Sequence, residues 1–458
     1  MISMKTIRNS LVSFSRREGT KSVYSSLVCV LIGIFIGFMI MVFCSFIPST
    51  NADPISGLFY LASGPFSSSL QPLKEFGMTL FYTGPLIFTG LSVAIAYKTG
   101  LFNIGAPGQF LMGTMGSLLI ALNINTTGNR FAGVFVWLLA LFIGVIFGAI
   151  WSLIPGLLKA FFGINEVIVS IMSNWIAANI VSWVFSSPSL GHIVNSGAMK
   201  SGYLIQTSAT GNYTPTLGLG GLFSSNGSSS YLDIGIVLAI LMCALLWVLM
   251  NKTTLGFELK ACGYNKDAAR YAGMNEKMNI CIAMMIAGSL SAMGGALYYL
   301  NPNIELQFKA CYQTLPEYGF NGIPAALLAN SHPIGVFFSS FFIRYLTSAG
   351  GFLQRAGFNK YFADTIIAII IYFAGFSRFI EGCLFGDKSL KSKFSFLSRL
   401  KAKNSLKTES VLMKVETKGI LEKKEETSKS KPKKIVRVKK VASTREKSQA
   451  KKNSKEEK

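Results

Sequence analysis

Long stretches without a charged residue recur through the first 380 residues of this chain, and they constrain its fold more than any other feature. A helix that crosses the hydrocarbon core of a bilayer needs about 20 apolar residues. Only 14% of the residues are charged, whereas a soluble domain carries about 25%. The sequence therefore predicts an all-α polytopic membrane protein and argues against a soluble enzyme. The apolar runs cover residues 27–47, 79–97, 101–122, 131–158, 167–185, 234–250, 278–300, 318–343 and 361–377.

Basic residues predict how these segments are oriented. The N-terminal arm (1–26), the loop 251–278 and the C-terminal tail (381–458) are rich in Lys and Arg, which collect on the cytoplasmic side of membrane proteins. The segment 186–231 is rich in Ser, Gly and Asn, carries almost no charge and is assigned to the outer face. The chain is thus expected to consist of the arm, a transmembrane domain (27–380) and the tail.

Cytoplasmic positions for both termini require an even number of crossings, and we expect about ten transmembrane helices. The run 318–343 is interrupted by Pro324, His332 and Pro333. We interpret it as a bent pair of crossings that turns at residues 330–333. The alternative is a single crossing plus a short re-entrant piece.

The tail accounts for most of the net charge of the chain. Residues 387–458 hold 24 Lys and Arg against 9 Asp and Glu, so +15 of the formal net charge of +23 lies there. Such a charged segment with few aromatic residues cannot bury a core and is predicted to be disordered. Its Lys residues favour solvation or attraction to anionic lipid, and no nucleic-acid partner is expected.

No motif for catalysis or metal binding occurs in the sequence. The nucleotide-binding pattern GxxxxGK[ST], the nucleophile pattern GxSxG and the zinc pattern HExxH are all absent. The seven Cys are scattered without CxxC spacing, and the chain has only two His. We therefore expect no catalytic residue, no metal and no bound cofactor, so that any ATP hydrolysis that drives transport takes place on another chain.

The segment 101–113, LFNIGAPGQFLMG, predicts a broken helix. Gly and Pro interrupt helical hydrogen bonding, which is tolerated at membrane depth only where the backbone is buried in protein or lines a cavity. Asn103 and Gln109 bring amide groups to the same place. We interpret them as candidate residues of a substrate pathway; the alternative is a kink whose amides bond neighbouring helices.

The segment 163–174, GINEVIVSIMSN, begins another crossing. Asn165 is a plausible N-cap, and Glu166 is expected at the cytoplasmic boundary, where a charge at a helix N-terminus is favourable. Asn174 lies deeper and is expected to face protein or the pathway. It is therefore a third candidate pathway residue.

A weak internal echo favours a duplicated core. Phe102-Asn103-Ile104-Gly105-Ala106-Pro107 resembles Phe320-Asn321-Gly322-Ile323-Pro324-Ala325, and both stretches begin long apolar runs. Paired Gly/Pro-broken segments in the two halves of a transporter commonly mark its central site. Asn321 is therefore the fourth candidate pathway residue.

The cytoplasmic loop is predicted to contain a short amphipathic helix over residues 265–271. Gly263 precedes it and Gly273 ends it, and both are expected to allow sharp turns. Asp267 favours the N-terminal turn, and Arg270 offers a planar donor fork. A short helix between two crossings is suited to a groove on a soluble partner.

Four stretches together resemble one family, the permease subunits of bacterial ABC importers for nucleosides, within the wider class of ribose-type and branched-chain amino-acid permeases. They are GLFNIGAPGQFLMG, GINEVIVSIMSNWIA, LGFELKACGYNKDAARYAGMNEKMNICIAMMIAGSLSAMGGAL and GFNGIPAALLANSHPIGVFF. The resemblance covers about residues 79–379. Pro107 stands where many relatives carry an acidic residue, so a role for that charge is not transferred. The basic tail has no counterpart in the family pattern.

The resemblance implies several partners. A second, related permease subunit would complete the pathway, often as a heterodimer. An ATPase would bind ATP and Mg on the inside, and a substrate-binding lipoprotein would deliver substrate outside. The loop 257–273 would be the coupling segment, so that Gly263, Asp267, Arg270 and Gly273 contact or position it against the ATPase. The location implied is the bacterial plasma membrane.

Alternative functions remain at this point. A pentose or hexose permease of the same class would need denser amides and carboxylates than the few polar candidates seen here. An ATP-independent transporter usually carries intramembrane ionisable pairs, for which Glu166, Arg344 and Asp364 are the candidates. A membrane scaffold is disfavoured by the broken helices.

Overall fold

The computed structural model describes residues 18–46, 52–68, 71–126, 129–194, 212–225, 227–374 and 376. All of them belong to the first of the two units into which the chain divides, Met1–Phe385. The N-terminal arm up to residue 17, residues 195–211 of the outer segment and the predicted tail 381–458 lie outside the described residues.

The described residues form helices joined by turns and loops, with no β-strand among them. The helices are α1 Glu18–Ser45, α2 Pro54–Ser63, α3 Pro72–Lys98, α4 Ala106–Asn123, α5 Arg130–Phe162, α6 Glu166–Phe185, α7 Leu219–Leu222, α8 Gly235–Lys252, α9 Thr254–Tyr264, α10 Lys266–Tyr271, α11 Glu276–Tyr299, α12 Glu317–Leu328, α13 Pro333–Leu353 and α14 Lys360–Ala374. Short 3₁₀ turns cover Gly64–Ser67, Pro188–Ile193, Ala310–Tyr312 and Gln354–Ala356.

Seven helices of the described part are long and apolar enough to cross a membrane: α1, α3, α5, α6, α8, α11 and α13. The apolar helices α4, α12 and α14 account for the other predicted runs. The all-α polytopic membrane protein predicted from the sequence is thereby confirmed.

The predicted turn at residues 330–333 is present. It follows α12, and Asn330 and Ser331 adopt φ values of 50° and 55° in the left-handed region. Ser331 and His332 line one small cavity with Lys98 and Lys260, so the turn lies on the side of the basic loop. With 12 residues, α12 is only about 18 Å long. It is too short to cross the hydrocarbon core by itself, so the choice between a bent pair and a re-entrant piece stays a prediction.

Glycines allow the central helices to pack closely. A Cβ built on Gly148 of α5 would lie 2.1 Å from Ala292 Cβ of α11, and one on Gly113 of α4 would lie 2.5 Å from the same atom. Only a residue without a side chain fits such contacts. Small residues let membrane helices approach closely and gain van der Waals packing, since no hydrophobic driving force acts between helices in lipid. The three helices α4, α5 and α11 form the centre of the bundle around this point.

Candidate functional site

The crossing after α3 is broken, and buried amides hold the break. Residues 99–105 are not helical, and α4 begins only at Ala106. The Asn103 amide donates to Gln109 Oε1 at 2.8 Å, and the Gln109 amide donates to Asn103 Oδ1 at 3.0 Å. Asn103 also donates to Ser92 Oγ of α3 and accepts from the Gly105 N–H. The two predicted pathway residues thus form a reciprocal pair.

Asn174 of α6 closes the other side of the break. Its Oδ1 accepts from the Gly108 N–H at 2.9 Å, and its Nδ2 donates to the Ile104 carbonyl at 2.9 Å. One side chain therefore satisfies a backbone donor and a backbone acceptor that no helix pairs. An unsatisfied group of this kind is costly in an apolar interior.

The structure thus brings together three of the four candidate pathway residues. Asn103, Gln109 and Asn174 are each at most 1% exposed, and their amides bond to each other, to Ser92 and to the broken backbone. This arrangement is the one expected of amides that bond neighbouring segments. A direct contact with substrate remains a prediction.

The beginning of α12 lies against the beginning of α4. A Cβ on Gly319 would lie 2.4 Å from Pro107 Cα. The Ser291 hydroxyl of α11 donates to the Ala106 carbonyl at 2.7 Å, and the Thr89 hydroxyl of α3 donates to the Tyr318 carbonyl at 2.8 Å. Both helices therefore start within the bundle.

These two helices run in opposite directions from their meeting point. The end of α4, at Asn123, bonds to His192 in the outer segment, whereas α12 ends at the turn beside Lys98. The two echoed motifs occupy different positions, because Asn103 precedes α4 while Asn321 lies inside α12. Both motifs nevertheless mark a broken crossing.

Asn321 is separate from the other three candidates. It is half-buried and lies on a face of α12 with Glu317, Phe320 and Pro324, at the i, i+3, i+4 and i+7 spacing of one helical side. Glu317 and Phe320 are exposed, Phe320 to 39%. This is a free face of the single chain at the level where α12 begins.

Beside both broken helices lies a group that we name the tyrosine–arginine cluster: Tyr82 of α3, Tyr298 of α11, Tyr318 of α12 and Arg344 of α13. The ring centroids of Tyr298 and Tyr318 are 4.9 Å apart, and that of Tyr82 is 6.2 Å and 6.4 Å from them. All four side chains are half-buried. Phe110 of α4 lies nearly parallel to Tyr318, with centroids 6.3 Å apart. Phe110 is fully buried, so the accessible rings come from α3, α11 and α12, and α13 adds the guanidinium.

Arg344 lies in the middle of α13, a helix long and apolar enough to cross a membrane. Its guanidinium carbon is 4.4 Å from the Tyr82 ring centroid. Its buried Nε has no hydrogen-bond partner among the described residues. Ion pairs in the described part join Lys159 to Glu166 and Lys266 to Glu276, not Arg344 to a carboxylate. Intramembrane charges are costly and usually functional.

The inner loop, residues 253–275, contains the predicted short helix. This helix, α10, spans Lys266–Tyr271, and Asn265 caps it by accepting from the Ala268 N–H at 3.0 Å. Gly273 follows with φ 82°, a conformation that disfavours other residues. The predicted helix and its boundary at Gly273 are confirmed.

One side of α10 is held to the bundle and the other is free. Ala269 is buried, and Lys266 lies 3.7 Å from Glu276 of α11. Asp267 and Arg270 are exposed. Tyr264 and Tyr271 are 87% and 94% exposed, which hydropathy did not indicate. The inner loop therefore presents two aromatic and two charged side chains on the surface that faces away from the bundle.

Gly263 has a different role from the one expected. It lies within α9, without positive φ, and a Cβ there would be 2.4 Å from the Lys98 carbonyl oxygen. It permits α9 to contact the end of α3, whereas the sequence predicted a sharp turn at this position. The inner loop is thus attached directly to the segment that leads into the broken crossing.

The part of the chain that the structure describes contains no assembled metal site, and its cysteines are not paired in disulfides. No group of three or more His, Cys, Asp or Glu side chains there is placed to hold a metal ion. Cys29, Cys44, Cys243, Cys262, Cys281 and Cys311 are buried free thiols.

Comparison with known proteins assigns the family. Residues 76–375 match the family described as the branched-chain amino acid transport system / permease component. This interval is more than half of the 458 residues and contains both broken helices, the tyrosine–arginine cluster and the inner loop. The chain belongs to this permease family. The permease is therefore a transport subunit and not an enzyme, as the sequence predicted.

The most similar curated relatives extend over most of the permease. It is 32% identical to the nucleoside ABC transporter permease protein NupB of Lactococcus lactis, over 81% of this chain and 96% of NupB. It is also 32% identical to the guanosine ABC transporter permease protein NupP of Bacillus subtilis, over 78% and 95%. The glucose ABC transporter permease protein TsgB13 of Haloferax volcanii is 29% identical, over 72% and 83%.

Relatives of the permease occur in pairs. Lactococcus lactis also has NupC, and Bacillus subtilis also has NupQ, which are 25% and 27% identical to the permease over 59% of its length. No solved structure matches the permease. The permease class that the sequence resembled is confirmed by these findings.

Proposed function

We propose that this permease carries nucleosides inward as one membrane subunit of an ATP-driven ABC importer. The observation that carries the proposal is the similarity to NupB, because it extends over 96% of that protein. A likeness of this extent includes every broken helix and the inner loop, and not merely a few apolar segments. The half-buried aromatic surface beside the broken helices is chemically suited to a planar base.

A sugar of the pentose or hexose type is the second candidate substrate. The observation in its favour is the 29% identity to TsgB13, a glucose permease. We favour nucleosides because aromatic rings lie beside the broken helices, while the amides that a sugar would need are already bonded to each other, to Ser92 or to the backbone. An ATP-independent mechanism is the least favoured.

The inner loop is proposed to couple the permease to a separate ATPase, which binds ATP and Mg. Asn265 and Gly273 delimit α10, Ala269 anchors it, and Asp267 and Arg270 are free to meet a partner. Exposed aromatic and Arg side chains are typical of residues that dominate binding at interfaces. A rigid helix transmits a displacement that a flexible loop would absorb.

The importer is proposed to include a second, related permease and an extracellular substrate-binding lipoprotein. The paired relatives in two organisms support the second permease. The free face of α12 with Glu317 and Asn321 is the surface that such a subunit would complete. We place the complex in the bacterial plasma membrane with both termini of this chain in the cytoplasm.

Reconstitution tests the function. Liposomes that contain both permeases and the ATPase, with the binding protein supplied, should accumulate labelled guanosine when ATP is present. This chain alone should not accumulate it. Uptake by the chain alone, driven by a proton or sodium gradient, would contradict the ABC mechanism. Accumulation of glucose without any nucleoside would favour the second candidate.

Crosslinking tests the coupling surface. A Cys at Ala268, which is exposed, should crosslink to the ATPase, whereas a Cys at the neighbouring buried Ala269 should not. The six described native thiols are buried and should contribute little background. Arg270→Glu should reduce both uptake and substrate-stimulated ATP hydrolysis while membrane insertion stays normal. Normal uptake without any crosslink from Ala268→Cys would show that the loop is only a connector.

A further inference from the structure

We propose that the tyrosine–arginine cluster binds the base of the transported nucleoside and that Arg344 selects bases with a ring carbonyl, such as guanine and hypoxanthine, over adenine. This inference rests on the proposed function and deepens it by assigning a subsite. Tyr82, Tyr298 and Tyr318 would supply the stacking surface and Arg344 the polar contact.

Arg344 carries a donor that the protein does not satisfy. It is the cation at the centre of an apolar helix, its Nε is buried without a partner, and its guanidinium carbon lies against the Tyr82 ring at 4.4 Å. A residue that served only to fasten helices would be expected to satisfy that donor. An unsatisfied buried donor calls for an explanation. Because Nε is enclosed, the terminal guanidinium nitrogens of half-buried Arg344 are the donors left for a ligand that accepts hydrogen bonds.

The rings around Arg344 form a surface suited to a flat ligand. The rings of Tyr82 and Tyr318 are within 12° of parallel, and both residues are half-buried. A planar, uncharged base stacks on such rings whatever its identity. The cluster adjoins the beginnings of α4 and α12, where Gly319 touches Pro107. A substrate bound here would therefore lie at the two breaks.

The guanidinium of Arg344 can discriminate between bases. A guanidinium has five N–H donors and no acceptor. Guanine and hypoxanthine present two adjacent acceptors, O6 and N7, which match two of those donors. Adenine presents N7 beside an amino donor, which opposes the guanidinium. Tyr hydroxyls both donate and accept, so they do not discriminate in this way.

The test is a pair of Arg→Lys substitutions in α13 and the turn that follows it. Arg344→Lys keeps the charge and removes the planar fork. Arg355→Lys is the matched control, because Arg355 also stacks on an aromatic ring, Phe352 at 5.0 Å, but is exposed and bonds the Ser67 carbonyl. Uptake of guanosine, inosine and adenosine is measured in the complete reconstituted importer at saturating binding protein, together with the amount of assembled complex.

We expect Arg344→Lys to lower the guanosine-to-adenosine and inosine-to-adenosine uptake ratios by roughly tenfold to hundredfold, the discrimination of one bidentate contact. Arg355→Lys should leave both ratios unchanged. Equal loss of all three nucleosides in an assembled Arg344→Lys complex would overturn the proposal, as would unchanged ratios. If the wild-type importer carries no nucleoside at all, the proposed function itself is wrong, whatever the variants show.

A second variant keeps the proposal testable if Arg344→Lys does not assemble. Tyr82→Leu removes the ring beneath the guanidinium and one stacking surface. Uptake of all three nucleosides should fall by about fivefold or more, the loss of one base–aromatic stacking contact. Normal uptake of every nucleoside by an assembled Tyr82→Leu complex would overturn the stacking role.

Discussion

Replacing Asn174 by Leu tests whether its amide holds the broken crossing together. The substitution removes the acceptor for the Gly108 N–H and the donor for the Ile104 carbonyl, both at 2.9 Å. Neither backbone group has a helical partner, because Ile104 lies in the non-helical turn and Gly108 in the first turn of α4. The matched control is Asn179→Leu, one position in the same helix where the amide is exposed and bonds only the Trp175 carbonyl of its own helix.

The expected magnitude follows from the number of orphaned groups. Each buried polar group that loses its partner costs about 1–3 kcal/mol, so two such groups predict a loss of about 2–6 kcal/mol in the free energy of unfolding. Leu must also fit where a Cβ on Gly108 would lie 2.9 Å from Asn174 Cα, which leaves little room for relaxation. Asn179→Leu should change the free energy by less than about 0.5 kcal/mol.

Thermal unfolding of the purified protein, followed with a thiol-reactive dye, measures the difference. The described cysteines are all buried, so dye labelling reports their exposure on unfolding. Asn174→Leu should unfold well below wild type and Asn179→Leu close to it. If the two variants unfold at the same temperature, the amide does not stabilise the break and the reasoning is refuted.

Three further predictions follow from packing, charge and backbone conformation. Gly148→Ala should lower the unfolding temperature, because its Cβ would lie 2.1 Å from Ala292 Cβ, whereas Gly351→Ala, with nothing within 4 Å, should not; equal thermal shifts would contradict this. Burial raises the pKa of Asp233 from 3.8 to about 6, so between these pH values the folded state retains a proton that the unfolded state releases. The free energy of unfolding should therefore fall by up to about 3 kcal/mol as pH rises from 4 to 6.5. Asp233→Asn should flatten that dependence in melting curves recorded at several pH values. Gly273→Val forces a β-branched residue to φ 82° and should reduce substrate-stimulated ATP hydrolysis without changing membrane insertion; unimpaired hydrolysis would show that the end of α10 tolerates strain.

Hydropathy and local chemistry suffice for several features of this protein. Crossings are visible because burial in lipid requires about 20 apolar residues in a row, which is a property of neighbouring residues. The same locality explains α10, whose cap Asn265 and terminating Gly273 lie within a few positions of the helix they delimit. Motif resemblance then assigned the permease class, because the characteristic stretches are contiguous.

Local sequence patterns also predict the break before α4, but not all the hydrogen-bond partners of the amides around it. Gly and Pro mark the interruption directly. The partner of Asn103 is Gln109, only one or two turns away, and it was within reach of sequence reasoning. The bonds from Asn174 to Gly108 and Ile104 were not, because they join segments that only the packing of α6 on α4 brings together.

The tertiary structure alone assembles the tyrosine–arginine cluster. Its residues come from α3, α11, α12 and α13, and no short motif connects Tyr82 with Tyr298, Tyr318 or Arg344. Helices that are apolar on all sides show no face that must point inward, so their rotation is determined by contacts such as Gly148 against Ala292. Sequence determines that these helices exist and where they break; close packing determines which side chains meet at the breaks.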